Sequence, residues 1–414
     1  MALSVVPSSP PPSILQVLED RDWPALEAML AGGFPPNASW GEHGSLFERF
    51  VLAASLPTPP IPQTRSHQAQ MQALEALIQA GLSPTPPPGG DSGGLPLAVS
   101  ALAGRPDFVR RLLDDAHAPN GVGPSRHTPL SLLALRTSPS LGALAVEFSR
   151  IRACVDELIE GGAEVNQPAA GNWLPLTLAA SVKDYEMVKL LLEHGALVNG
   201  RASGIPKQPG PRYAAVCWAI HHDDERLLKL LLDHGASLTP SMSAGVNVVD
   251  AAGECAGPDV WRVLVGRLGM DAAPVRRGWF RAVAHNRHLL VLWFLCAGMS
   301  ATQRSEEGWG PLDVACEHEA LDIIPLLVSA GASPSRLAQD GVSPLSRLRK
   351  KTGRKALEKV GWGFGPSVVR EFLGFGWRRT AWLVLNEGMR AVTSRGTSSV
   401  LIHGRGMNTP PAAG

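Results

Sequence analysis

Residues 171–199, GNWLPLTLAASVKDYEMVKLLLEHGALVN, carry two apolar segments with helical rather than strand periodicity. The first opens at Pro175, whose fixed φ and missing N–H suit the first turn of a helix. Its inward side, Leu176, Leu178, Ala179 and Ala180, is small. After Lys183 and Asp184, a second segment places Met187, Val188, Leu190, Leu191 and Leu192 over more than one face, so that helix must be enclosed by neighbours. Gly195 takes the left-handed conformation that ends a helix without a Cβ clash, and residues 196–199 lead away extended. The pattern predicts helix, turn, helix, loop.

The same unit recurs along the chain. With Gly33, Gly81, Ala116, Gly162, Gly195, Gly235, Gly269, Gly298, Gly331 and Gly388 taken as equivalent, the intervals are 48, 35, 46, 33, 40, 34, 29, 33 and 57. Those near 33 set the period, and the longer ones locate insertions. Residues 184–199 resemble the second-helix pattern of the ankyrin repeat, a module of about 33 residues in which a β-turn precedes two antiparallel helices. The first half departs from that family, because Leu174 stands where Thr usually caps the first helix and Thr177 stands where the family has His. Thr128 before Pro129 and Ser343 before Pro344 supply a capping hydroxyl in two other copies. The resemblance implies an all-α fold: an ankyrin-repeat solenoid of stacked helix-turn-helix units with short β-turn fingers, nine or ten repeats in one domain.

On this reading residues 1–12, with four prolines, are disordered and residues 13–345 form the solenoid. Inserted loops are expected near 57–66, 84–94, 137–144 and 200–211; such loops are tolerated because closure entropy rises slowly with length. Residues 346–391 read as a basic, modified C-terminal capping repeat, and 392–414 as a disordered tail.

The net charge of +1 hides an asymmetry: residues 336–414 carry +10 and the preceding part −9. Arg outnumbers Lys thirty to eight and Ala, Gly and Pro are abundant, as a GC-rich bacterial genome would encode. The five cysteines are an odd number, at least twenty residues apart and each in a predicted helix, so they are expected to be reduced, buried and in the cytoplasm. The start has no basic, apolar leader pattern. The longest apolar run, residues 289–299, is too short to span a bilayer.

No Gly-rich phosphate loop follows a strand, no paired carboxylates stand out, and neither Cys316-Glu317-His318 nor Cys217 with His221 and His222 brings the second close cysteine that four-ligand zinc favours. Cys217 and His221 at i and i+4 have thiolate–imidazole spacing, but a small core cysteine beside histidines at the exposed turn between two helices is the favoured reading. The expectation is a non-enzymatic protein with no cofactor and no metal, acting as a monomer.

The resemblance implies a concave protein-binding surface made of turn tips and first helices. Trp173 and Trp309 lie two residues before separate Pro-Leu pairs, which places both at such tips, with His127 and Val342 at the corresponding places of their copies. Exposed aromatics there suit a hot spot for an extended protein partner. An alternative partner is nucleic acid or another anionic surface, met by Arg347, Arg349, Lys350, Lys351, Arg354 and Lys355 in the basic run. A further alternative is a secreted bacterial effector, without a recognisable signal peptide, that binds a host protein.

Overall fold

The computed structural model describes residues 12–40, 45–55, 63–83, 95–115, 117–122, 126–138, 146–200, 214–239, 247–333, 336–344 and 347. Helices begin where proline or a side-chain cap permits and end where glycine turns the chain. In order they are α1 (Pro12–Glu19) and α2 (Trp23–Ala31), α3 (Leu46–Ser55) and α4 (Gln63–Gln79), α5 (Pro96–Leu102) and α6 (Pro106–Asp114). Next come α7 (Pro129–Ala134) and α8 (Phe148–Glu160), α9 (Pro175–Ser181) and α10 (Tyr185–Glu193), α11 (Ala215–His221) and α12 (Glu225–Asp233), α13 (Val248–Cys255) and α14 (Pro258–Leu268). The last are α15 (Ala273–Ala284) and α16 (His288–Cys296), then α17 (Pro311–Glu317) and α18 (Ile324–Ser329). An isolated antiparallel bridge pairs Ser39 with Ser45.

The chain divides into two compact units, one ending at Gly278 and one beginning at Trp279. In the first, α3, α5, α7, α9, α11 and α13 pack in succession, each of the first five on the one after it, while α2 packs on α4, α6 on α8 and α12 on α14. Two rows of helices result, with the core between them. Small residues let the first helices approach: Ala179, Ala180, Ala219 and Ala252 are wholly buried. Met187, Val188, Leu190 and Leu191 of α10 are also fully buried, as a helix apolar on more than one face requires. Near the start the Phe50 ring lies 5.4 Å from Trp23 and 5.6 Å from Phe108.

Asp184 caps α10 by accepting from Met187 N at 3.1 Å, and Asp224 caps α12 from Leu227 N at 2.9 Å. Thr128 Oγ1 accepts from Ser131 N at 3.2 Å, the cap expected of it, whereas Leu174 makes none. Lys183 (φ 60), Asp223 (φ 54) and Asn286 (φ 53) hold the left-handed position of the turn between paired helices, a conformation that costs a residue with a Cβ. Asp223 gains from it, since its Oδ1 accepts from Gly257 N at 2.6 Å.

Asparagines four residues after the helix-ending position, glycine in three repeats and Ala116 in one, tie one repeat of the first unit to the next. Asn166 Nδ2 donates to Gly195 O at 3.3 Å while its Oδ1 accepts from Leu197 N at 2.9 Å. Asn199 does the same to Gly235 O (2.9 Å) and Ser237 N (2.7 Å), as do Asn37 to Gly81 and Ser83 and Asn120 to Gly162 and Glu164. Each side chain thus satisfies an acceptor and a donor left over at the end of the following helix.

In the second unit Trp279 and Phe294 are fully buried with ring centroids 5.5 Å apart, and Leu327 of α18 is fully buried. Asn286 Nδ2 donates to Asp322 Oδ2 at 2.7 Å. Where four repeats of the first unit have asparagine, this unit has Thr302, whose N–H and hydroxyl pair with Ser300 Oγ in the same loop, at 3.2 and 2.9 Å, as Thr239 of the first unit pairs with Ser237 Oγ.

Two expectations need correction. Helix α4 begins at Gln63, inside the loop expected near 57–66, because residues 63–71 contain neither Gly nor Pro and are mostly good helix formers. Cysteines 154, 217 and 316 are buried, but Cys255 is half-buried and Cys296 is exposed; all five are free. Residues 84–94, 201–213, 139–145 and 348–414 lie outside the described residues, and with them most of the loops and all of the basic cap expected above except Arg347. Among the described residues no helix is long and apolar enough to cross a membrane.

Candidate partner-binding fingers

Trp173 sits at the closing position of a tight turn. Ala169 N donates to Trp173 O at 2.8 Å and Asn172 N to Ala169 O at 3.0 Å, with Gly171 (φ 65) and Asn172 (φ 68) both left-handed. The same construction returns twice in the second unit. Ser305 N donates to Trp309 O at 2.8 Å and Gly308 N to Ser305 O at 3.0 Å; Ala338 N donates to Val342 O at 3.1 Å and Gly341 N to Ala338 O at 3.0 Å. Trp173, Trp309 and Val342 are therefore equivalent positions, each two residues before a helix-opening proline. All three are half-buried, as is His127, which follows the left-handed Arg126 (φ 59). His127 Nδ1 lies 3.2 Å from Ser131 Oγ, and burial lowers its pKa.

The finger tryptophans rest on the first helix of the following repeat. Trp173 meets Trp218 of α11 at 5.8 Å between centroids, and Trp218 stacks on His222 at 5.5 Å. His222 Nε2 donates to Ser181 O at 2.8 Å, and burial lowers the pKa of this imidazole as well. The partner of Trp309 is an arginine: the Arg347 guanidinium lies 4.1 Å from the ring centroid. It also bonds Asp340, approaches Asp313 Oδ1 to 3.7 Å and Glu317 to 3.9 Å, and its side chain is 7% exposed.

Arg347 is thus not the exposed phosphate contact expected of it. A charge run is normally a solvated face, but this residue occupies the helix position that faces the preceding finger, where three carboxylates match its charge. Arg349, Lys350, Lys351, Arg354 and Lys355 lie outside the described residues. Asp340 stands below the usual carboxylate range because of its hydrogen bond to Arg347, while burial pushes Asp313 above it. Asp313 Oδ2 accepts from Gly310 N at 2.9 Å, and its Oδ1 is buried without a hydrogen-bond partner.

Consecutive fingers of the second unit also touch directly. Arg304 donates to Gly308 O at 2.6 Å and to Leu337 O at 3.3 Å, and a Cβ on Gly308 would run into the Gln339 side chain. Beside them is a cavity of about 30 Å³ lined in part by Arg304, Asp313, Arg336 and Leu337, room for roughly one water.

Residues 143–242 match the family described as ankyrin repeats, in three copies. Residues 143–242 are ankyrin repeats. The matched copies include the finger at Trp173, and the ankyrin helix pairs on either side repeat the same geometry. A curated relative, the BTB/POZ domain and ankyrin repeat-containing protein NBCL of Lotus japonicus, is 33% identical over 107 residues, which is 24% of this chain and 22% of that protein. The chain therefore spans less than a quarter of that relative's length. Among solved structures, the human ASB11 ankyrin repeat domain has a TM-score of 0.34 at 20% identity over 66% of this chain and 98% of that one. The ankyrin repeat domain of Bcl-3 has a TM-score of 0.35 at 16% identity over 75% and 97%.

Among the described residues no group of three or more His, Cys, Asp or Glu is arranged to hold a metal. Burial pushes the Cys154 and Cys316 thiols up to about 12, which removes the thiolate a nucleophile or ligand needs. Cys217 is buried and His221 exposed. The sequence did not point to Trp218 or to the acids around Arg347, since both contacts depend on the register between successive repeats.

Proposed function

We infer that the ankyrin repeats of this chain serve protein–protein interaction, as such repeats generally do. We propose that this chain is a non-enzymatic scaffold that holds a protein partner on its β-turn fingers and adjoining first helices, as a monomer in the cytoplasm. Trp173 is the anchor of the first unit and Trp309 that of the second, flanked by His127 and Val342. One observation carries the reading: both tryptophans occupy the same closing position of a hydrogen-bonded finger and remain half-exposed there. A large, rigid ring held by its backbone loses little entropy on binding, which is what a hot spot requires. Five free cysteines support a reducing compartment.

The test uses a partner purified after recovery from extract of the source cell. Trp173→Ala or Trp309→Ala should weaken its binding by about 2 kcal/mol, with the unfolding midpoint of the Trp173 variant shifted only as a half-exposed substitution allows. Neutralising Lys350, Lys351, Arg354 and Lys355 together should matter less at physiological salt. If that four-charge variant abolishes binding and both tryptophan variants bind like wild type, the finger reading fails and an anionic partner takes its place.

A further inference from the structure

The surroundings of Arg347 form a receptor for a planar cation. Trp309 supplies a flat aromatic face at 4.1 Å, Asp340 a charge-assisted hydrogen bond, and Asp313 and Glu317 two further carboxylates at 3.7 and 3.9 Å. Guanidinium over indole combines cation–π attraction with in-plane donors for carboxylates, a match that a compact ammonium cannot reproduce. Asp313 is 5% exposed and its Oδ1 has no hydrogen-bond partner, so an acceptor aimed at the guanidinium remains open.

We propose that the Trp309–Asp313–Glu317–Asp340 pocket recognises an arginine side chain of a protein partner, and that Arg347 occupies it in cis as a competing ligand. The proposal rests on the finger reading above and names the partner's chemistry at one of its anchors. Admission of a partner arginine needs only a rotation of the Arg347 side chain, because the backbone of the finger is fixed by its own hydrogen bonds. A partner must then outcompete a tethered arginine, which lowers its apparent affinity by the fraction of time the pocket stands open. The equivalent contact of the first unit, Trp173 on Trp218, has a second indole where this site has a cation, and is not part of the proposal.

The test titrates the full chain with N-acetyl-arginine amide, and in parallel with its lysine and citrulline counterparts, following the Trp309 indole N–H resonance identified through Trp309→Leu. Arg347→Gln should bind the arginine probe about tenfold more tightly than wild type, as expected if the pocket is open about a tenth of the time. The lysine probe should bind more weakly and the citrulline probe not at all, and the Trp309→Leu/Arg347→Gln double variant should bind none of them. Equal affinity of wild type and Arg347→Gln, or binding that survives Trp309→Leu, would overturn the proposal. If circular dichroism shows that Arg347→Gln does not fold, Arg347→Lys takes its place: it should also bind the arginine probe more tightly than wild type, and failure to do so would equally overturn the proposal. Should the probe fail while Trp309→Ala still weakens the purified partner, this inference falls and the finger reading stands.

Discussion

The two units share a helix pair but join successive pairs differently. In the first, four joints carry a side-chain amide at the far end of the second helix, where Asn37, Asn120, Asn166 and Asn199 each bond a carbonyl and an N–H of the next repeat, and only Thr239 among the described joints closes on its own loop. In the second, Thr302 closes on its own loop, and the links lie among the fingers, through Arg304 on Leu337 O and Arg347 on Trp309. An amide bonded at both ends to backbone fixes the spacing of repeats and offers a ligand nothing. A finger link made of charged side chains fixes spacing less firmly and can be exchanged for a partner's side chain.

The largest expected effect tests what the units have in common. Leu191→Ala in the first and Leu327→Ala in the second, both fully buried, should each cost about 2–5 kcal/mol in urea unfolding. An unchanged midpoint for either would mean that its unit is not held by the helix-pair core. Next comes the difference itself: Asn199→Ala, which orphans Gly235 O and Ser237 N, should cost about 1–2 kcal/mol. Thr302→Ala should stay within about 0.5 kcal/mol. Equal losses would remove the distinction drawn between the two links.

A smaller effect has the opposite sign. Lys183 is exposed and left-handed, so Lys183→Gly should raise stability by up to about 1 kcal/mol in thermal unfolding, despite the freedom glycine adds to the unfolded chain. Asp223→Gly should not, because the same relief removes the bond to Gly257 N. The smallest effect is on pH dependence. Burial lowers the pKa of His117, His127 and His222, all in the first unit, below the unfolded value, so the unfolded chain binds more protons as pH falls. Their stabilising contribution is complete above the ordinary imidazole pKa of about 6.5 and is lost as pH drops through the lowered values. His117→Leu should therefore flatten the midpoint-against-pH curve on the acid side of neutrality; an unaltered slope would show that this imidazole is not protonated on unfolding.

Much of this architecture can be read from the chain because its punctuation is chemical. Proline opens and glycine closes the helices: α9 begins at Pro175, and Gly195 after α10 has φ 82. The placement of Trp173 and Trp309 on fingers also follows from their spacing to proline. The start of α4 was hidden because residues 63–68 are all polar, with no apolar rhythm to betray a helix. The asparagine links were visible as a recurring Asn four residues after glycine, a signal that periodicity of apolar residues does not contain. What lies on each tryptophan was not legible, since Trp218 and Arg347 reach the fingers only through the register between repeats.

The asparagine links have a consequence for how such a chain tolerates growth. Asn37 reaches Gly81 across 44 residues, whereas Asn166 reaches Gly195 across only 29, with the same pair of bonds at the end of each span. The contact is blind to the length of chain between its ends. An inserted loop therefore leaves no cumulative error: whatever slack it introduces is cancelled at the next amide, much as a toothed rack restores alignment at every tooth. Variation in loop length within one repeat is thereby kept from displacing the fingers of the repeats that follow it in the first unit.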